Sequence, residues 1–433
     1  MIGIFLGLAL LIFLAYKGYN IIWVAPLCAL VVAVTGGLNL FEAYTVTYME
    51  GLVGFAKSWF PVFLFGAVYG KLMEVTGQAN AVAEKLAKLI GSKRAILAVI
   101  ITCAVLTYGG VSLFVAVFAV YPMAVAMFKE ANVPKRLLPG AIACGCFTFT
   151  MTALPGSPQL NNLIAAQYLG TDPMAAPILG IVSSVIMFGG GYAWLVYREK
   201  KFTAAGEGFG EDEAFDQVER PKANWILGII SLVIVVVTLN VLKWEALLAL
   251  GAGIIFIVIS NPMQIGKQMK YFIESLNEGG QGAVLAIMNT AAAVGFGSIV
   301  KAVPGFAKLT DIMLGIGGGS GFGALGAEAV AITTLAGATG SSSGGMTIAL
   351  EALGEYYLQV AASTGISPEV FHRVATVASG GLDSLPHCGA VITLLAVCKL
   401  NHKKSYADVG MITCVIPIIA VVAIVILGAF GVV

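Results

Sequence analysis

The sequence predicts an all-α polytopic membrane protein made of two inverted repeats of five transmembrane helices, each repeat carrying a re-entrant hairpin and a broken helix. Three observations predict it: an apolar composition, a lopsided distribution of lysine and arginine, and five short motifs that recur in order. Hydrophobic residues make up 59% of the 433 residues and charged residues 11%, against about 25% charged in a soluble domain. Mean hydropathy is +0.93. The net charge of +1 points to no nucleic-acid partner, and the seven cysteines show neither a paired framework nor metal spacing. No cofactor or metal is expected.

Full spans are expected near residues 2–16, 21–38, 52–70, 137–168 (broken), 174–197, 225–242, 246–260, 283–300, 371–398 (broken) and 408–432. The first apolar run has no basic stretch before it and Lys17 after it, which reads as a retained span and not a cleaved signal. In this arrangement 19 of the 24 basic residues fall on one side, including Lys71, Lys85, Arg94, Arg136, Arg198 and Lys404, and 5 on the other: Lys57, Lys243, Lys301, Lys308 and Arg373. Lysine and arginine are retained on the cytoplasmic side, so both termini are expected outside, in a bacterial inner membrane.

The same count places the hairpins. Residues 95–128 are uncharged yet flanked by basic clusters at both ends, so this segment enters and leaves from the cytoplasm. Its arms, split at TYGGVS (107–112), are each short for a span. Residues 329–350, within a hairpin near 324–357, repeat the pattern around ATGSSSGG (338–345); the nearest flanking basic residues are Lys308 and Arg373, so this hairpin dips from the outer face.

The halves match weakly but in order. EGLVG (50–54) pairs with EGGQG (278–282), Phe65-Gly66 with Phe296-Gly297, and the two Gly-rich tips with each other. Val133-Pro134 pairs with Ser367-Pro368, and LPGSP (154–158) with LPHCG (385–389), the offset staying between 228 and 234 residues. Five crossings per half turn the second copy upside down. The domains are then repeat 1 (1–197), an acidic cytoplasmic linker (198–224, with Glu207, Glu211, Asp212, Glu213, Asp216 and Glu219) and repeat 2 (225–433). Inverted repeats with broken helices mark secondary transporters with a midplane site.

Non-helical backbone at membrane depth is costly unless it lines a cavity, so chemistry is expected at the two tips and the two breaks, 150–159 and 379–390. Half-helix N-termini there suit an anion. The candidate substrate-binding residues are Tyr108, Gly109, Gly110 and Ser112; Thr152, Gly156, Ser157 and Gln159; Ser341, Ser342, Ser343 and Gly344; and Asp383, Ser384 and His387. No Arg or Lys falls in these segments, so an anion would be held by dipoles and hydroxyls. The competing reading is that Gly and Ser here only permit tight turns and close packing. Asp383 and His387, ionisable and inside a broken span, are the proton-coupling candidates; alternatively Asp383 caps the following half-helix and His387 donates to a carbonyl. Glu328, Glu351 and Glu355 are weaker coupling candidates. His372 and His402 read as interface residues, and Glu50 and Glu278 as structural residues at helix starts.

Two motifs are declined. GSSSG (340–344), with Asp383 and His387 following, fits the hydrolase pattern, but its flanks are apolar helix and not a strand–turn–helix elbow. GFGALG (321–326) fits a dinucleotide fingerprint without the preceding strand or a later ribose-binding acid. An enzyme is not expected.

ALPGSPQ (153–159), TGSSSGG (339–345) and GLDSLPH (381–387), with the run from GAVITLL (389–395) to HKKSY (402–406), resemble the gluconate permease (GntP) family of the ion-transporter superfamily over nearly the whole chain. The resemblance implies proton-coupled uptake of sugar acids or short hydroxy acids, with motifs similar to members linked with 3-hydroxybutyrate. It also implies a homodimer with an elevator-type transport domain. The sodium-dicarboxylate branch carries Ser-Asn-Thr signatures at its tips; Tyr-Gly-Gly and Ser-Ser-Ser-Gly stand here instead, which favours protons over sodium. A sodium-coupled carboxylate transporter and, in a different class, a passive anion channel are the alternatives.

Overall fold

A computed structural model describes residues 2–17, 19–210, 223–262, 266, 269–306, 308, 321–386 and 388–433. Among these the regular structure is helical throughout, with no strands. Eighteen segments carry the chain. They are α1 (Ile2–Tyr16), α2 (Ile21–Gly36), α3 (Leu40–Val75), α4 (Gln78–Ile90), α5 (Ala95–Tyr108), α6 (Leu113–Glu130), α7 (Leu138–Cys146), α8 (Phe149–Thr152) and α9 (Leu160–Leu169). Then come α10 (Pro177–Ala204), α11 (Trp225–Asn240), α12 (Ala246–Ser260), α13 (Met269–Ala302), α14 (Gly321–Thr339), α15 (Ser342–Thr364), α16 (Pro368–Ser379), α17 (Gly389–Val397) and α18 (His402–Ala429).

Four of these, α3, α10, α13 and α18, are long and apolar enough to cross a membrane. The 36 residues of α3 reach about 54 Å at 1.5 Å per residue. Asparagine side chains start several helices: Asn20, Asn39, Asn224 and Asn401 each accept from a first-turn amide, satisfying a donor the helix leaves open.

Small residues set the closest approaches. α3 and α13 run antiparallel; Gly51 lies against Ser298 and Gly295, and Gly279 against Lys71. Tyr48 closes the pair, its hydroxyl donating to the Ala292 carbonyl at 3.0 Å. With α1 and α2 these helices enclose a core around Leu11, Val24, Tyr48 and Phe296. A second, larger core holds the rest, and α10 and α18 cross it antiparallel. Their ends are tied by Arg198 and Asp408 at 2.6 Å, with the Trp194 indole also donating to Asp408. All seven cysteines are buried and free.

Several sequence expectations change. Glu278 does not start a helix, since α13 begins at Met269, whereas Glu50 stands in the first turn of the α-helical stretch Met49–Val75 of α3, which follows a π turn at Ala43–Tyr48. Glu278 instead pairs with Lys71 at 3.4 Å. The basic stretch before the first hairpin contains an amphipathic helix, α4, bent 97° from the helix that follows. Of the acidic linker, Glu207 pairs with Arg136; Glu211, Asp212, Glu213, Asp216 and Glu219 lie outside the described residues.

Candidate functional site

α5 and α6 form one helical hairpin around residues 109–112, and α14 and α15 form a second around 340–341. Two helices are interrupted: α7–α8 from α9 by residues 153–159, and α16 from α17 by 380–388. Proline and glycine cause both breaks. Pro155 and Pro158 have no N–H to give a helix, and Gly156 sits at φ +74°, a conformation that favours glycine.

These four segments touch. The Tyr108 hydroxyl donates to the Pro155 carbonyl at 3.0 Å, and Gln159 Nε2 to the Thr107 carbonyl at 2.6 Å, joining the first tip to the first break. Asn161 Nδ2 donates to Ser379 Oγ at 2.7 Å, joining the breaks. The Thr152 side chain abuts Gly380. Ser342, at the second tip, donates to Asn161 Oδ1 at 3.5 Å. Asp383 is buried and accepts from Ser384 Oγ at 3.0 Å. Ser342, Asn161 and Ser379 thus form one polar run from the second tip to the second break, the break that holds Asp383 and Ser384. His387 lies outside the described residues.

The remaining candidates divide by what already occupies them. Ser112 and Ser341 are helix N-caps, accepting from Val115 N and Gly344 N. Ser157 bridges Thr150 O and Gln159 N, and Thr152 bonds back to Thr148 O. These hydroxyls are committed to the backbone. Gly109 packs under Leu232, Gly110 (φ +95°) beside Pro158, and the Gly156 carbonyl accepts from Asn240 at 2.8 Å. Ser343 is half-buried. The half-helices α9 and α17 begin at Gln159 and Cys388 with no side-chain cap, so their first amides remain open to an acceptor. No side chain caps α17 at Cys388, so Asp383 is not its N-cap.

A second polar cluster escaped the sequence reading. His372 and Arg373 are fully buried, not interfacial. The guanidinium donates to the carbonyls of Ala153 (3.2 Å) and Ala175 (3.1 Å from Nε) and to Asn162 Oδ1 (3.3 Å). His372 sits between Thr171 Oγ1 (2.6 Å) and Asn162 Oδ1 (2.8 Å). Arg373 therefore locks the first half's break and the loop after α9 onto α16. The exposed His402 reaches the Pro386 carbonyl at 2.8 Å and steadies the second break. The available signal was the break itself: carbonyls freed at 153 and 173–175 need donors.

A cavity of about 480 Å³ lies between α3, α13, α9 and α15, lined among others by Glu50, Trp59, Tyr168, Lys301, Glu351 and Glu355. Tyr168 donates to Glu351 at 2.9 Å. Among the described residues no group of three or more His, Cys, Asp or Glu could hold a metal ion.

Residues 8–337, well over half of the chain, match the citrate transporter family, CitMHS. The chain belongs to that family. It is a multi-pass membrane transporter of the secondary type, and the ion-transporter superfamily reading holds. This CitMHS member is 43% identical to the uncharacterized transporter YxjC of Bacillus subtilis (strain 168), over 98% of each chain. Its fold is similar to that of the YdaH transporter of Alcanivorax borkumensis (TM-score 0.58, 14% identity, 88% of this chain and 87% of that one). It is also similar to MtrF of Neisseria gonorrhoeae, described among antimetabolite efflux pumps (TM-score 0.52, 16% identity, 91% and 84%). YdaH is described as having an unusual topology.

Proposed function

We propose that this transporter is a proton-coupled symporter of a small hydroxy-carboxylate, built as two inverted repeats and working by an elevator-type movement within a homodimer of a bacterial inner membrane. The observation that carries this reading is the unbroken run of contacts that joins both tips and both breaks, with the buried Asp383 in the second break. The uncapped starts of α9 and α17 supply amides for a carboxylate, and Ser342, Ser343 and Ser384 supply donors for hydroxyls. Asp383, the acid of this centre, exchanges the coupling proton with His387 as its proposed partner. Citrate, gluconate and 3-hydroxybutyrate all carry the required carboxylate and hydroxyl. The first is suggested by the family and the other two by the motif resemblance.

Element pairing supports the repeat. α5 packs on α7 as α14 packs on α16, α15 on α9 as α6 on α17, and α1 on α2 as α11 on α12. The test is uptake of the three labelled acids into proteoliposomes under imposed pH or sodium gradients. Accumulation driven by the pH gradient, lowered about tenfold or more in Asp383→Asn, is expected. Accumulation driven by sodium alone moves the protein to the sodium-coupled class, and equilibration without accumulation makes it a channel.

A further inference from the structure

Glu328 lies in α14, the first arm of the second hairpin. It is fully buried, and among the described residues neither carboxyl oxygen has a hydrogen-bond partner. Tyr357, on the opposite arm, is equally buried, its hydroxyl likewise without a partner among the described residues. Stacking on Phe371 of α16, at 5.9 Å between ring centres, fixes the Tyr357 ring.

Among the described residues, the surroundings offer Glu328 no compensation. Of the elements packed on α14, α1 and the 416–429 part of α18 bring no acidic or basic side chain. From α15, Glu351 is turned to Tyr168, Glu355 is 4.0 Å from Lys301, and Tyr356 sits beside Tyr357. From α16, Glu369 accepts from the Ala176 amide, His372 is held by Thr171 and Asn162, and Arg373 spends its guanidinium on carbonyls of the first half. A carboxylate in such a place would be desolvated and unpaired, so the group keeps its proton. As a structural element it is poor: buried acids that stabilise a fold use their oxygens, and an apolar side chain of similar volume would pack at least as well.

We propose that Glu328 is a second proton-binding site of the coupling machinery, separate from Asp383. The inference rests on the proton-coupled reading above. When the arms shift and admit water, the carboxyl O–H breaks and its proton passes to that water, leaving a carboxylate. Reloading runs in reverse, and nothing is oxidised or reduced. Because Glu328 shares a hairpin with Ser342, a shift of the arms that admits water to the carboxyl also moves the tip that meets Asn161.

The full-length protein in proteoliposomes provides the test. Dicyclohexylcarbodiimide adds to protonated carboxyls in apolar surroundings, and peptide mass spectrometry locates the adduct. Wild-type Glu328 should be labelled at neutral pH and progressively less as the pH rises; absence of the adduct across the pH range overturns the proposal without any variant. Glu328→Gln should lose pH-driven accumulation of citrate, gluconate or 3-hydroxybutyrate, whichever the wild type takes, by about tenfold or more, with a smaller loss of equal-concentration exchange. A Glu328→Gln protein as tightly coupled as wild type sinks the role of Glu328 alone. A wild type that accumulates its substrate without moving protons sinks the symport reading as well.

Discussion

The two hairpins occupy matching places in the chain but are built differently. The first has no charged side chain between residues 95 and 128. Its tip rests on side chains of the second half, Gly109 under Leu232 and Gly110 near Leu250 and Val235. The second is joined backbone to backbone, Gly345 against Ala336, packs along α13, and carries Glu328, Glu351 and Glu355. One hairpin is an apolar wedge with a yielding seat; the other is a rigid clip holding the ionisable groups. Two similar shapes therefore differ in what they pack against and in where their ionisable side chains sit.

The largest effect should come from the joint between the halves. Arg373→Met leaves the carbonyls of Ala153 and Ala175 without their donor inside the core, and should cost about 3–5 kcal/mol, read as a lowered melting temperature in detergent. Next is Gly345→Leu. Even a Cβ would lie 2.1 Å from the Ala336 backbone nitrogen, so the arms must spread, at about 3 kcal/mol. Gly109→Ala meets the movable Leu232 side chain at 2.4 Å and should cost about 1 kcal/mol. Equal losses from the two glycine changes would erase the clip-and-wedge distinction.

The smallest effect lies at the edge of the wedge's seat, where Lys243, between α11 and α12, pairs with Asp172 at 2.9 Å. Burial alone would raise the Asp172 pKa. Hydrogen bonds from Lys243 and the Met174 amide, with the charges of Lys243 and Arg373, outweigh it and hold the carboxyl below its ordinary value. With a depressed folded pKa, the contribution is present above about pH 4 and is lost as the pH falls through the folded value. Lys243→Ala should thus cost about 0.2–1 kcal/mol at neutral pH and almost nothing in acid, as unfolding curves at the two pH values would show.

Much of this architecture was legible because lipid leaves few options. Uncharged runs became helices, and the Gly/Pro clusters at 107–112, 150–159, 338–345 and 379–390 became turns or breaks. Side-chain roles were harder. Ser112 and Ser341 carry the hydroxyl a ligand site wants, yet each also stands one residue before a helix, and capping takes the same oxygen. Arg373 follows Pro368 by five residues, which suggests a span end at the interface. Its burial comes from the loop after α9 folding over it, a contact between positions 198 residues apart. Glu278 misled for the opposite reason: its helix starts earlier, at Met269, in sequence whose Lys270 and Glu274 hydropathy assigns to a loop.

The buried thiols have a practical corollary. Cys388 sits in the second break, five residues from Asp383, shielded like the other six. A membrane-impermeant maleimide should leave the resting protein untouched. Alkylation of Cys388 during turnover, timed and assigned to one side of the bilayer, would mark the moment and direction in which the centre opens, using an atom the native chain already has.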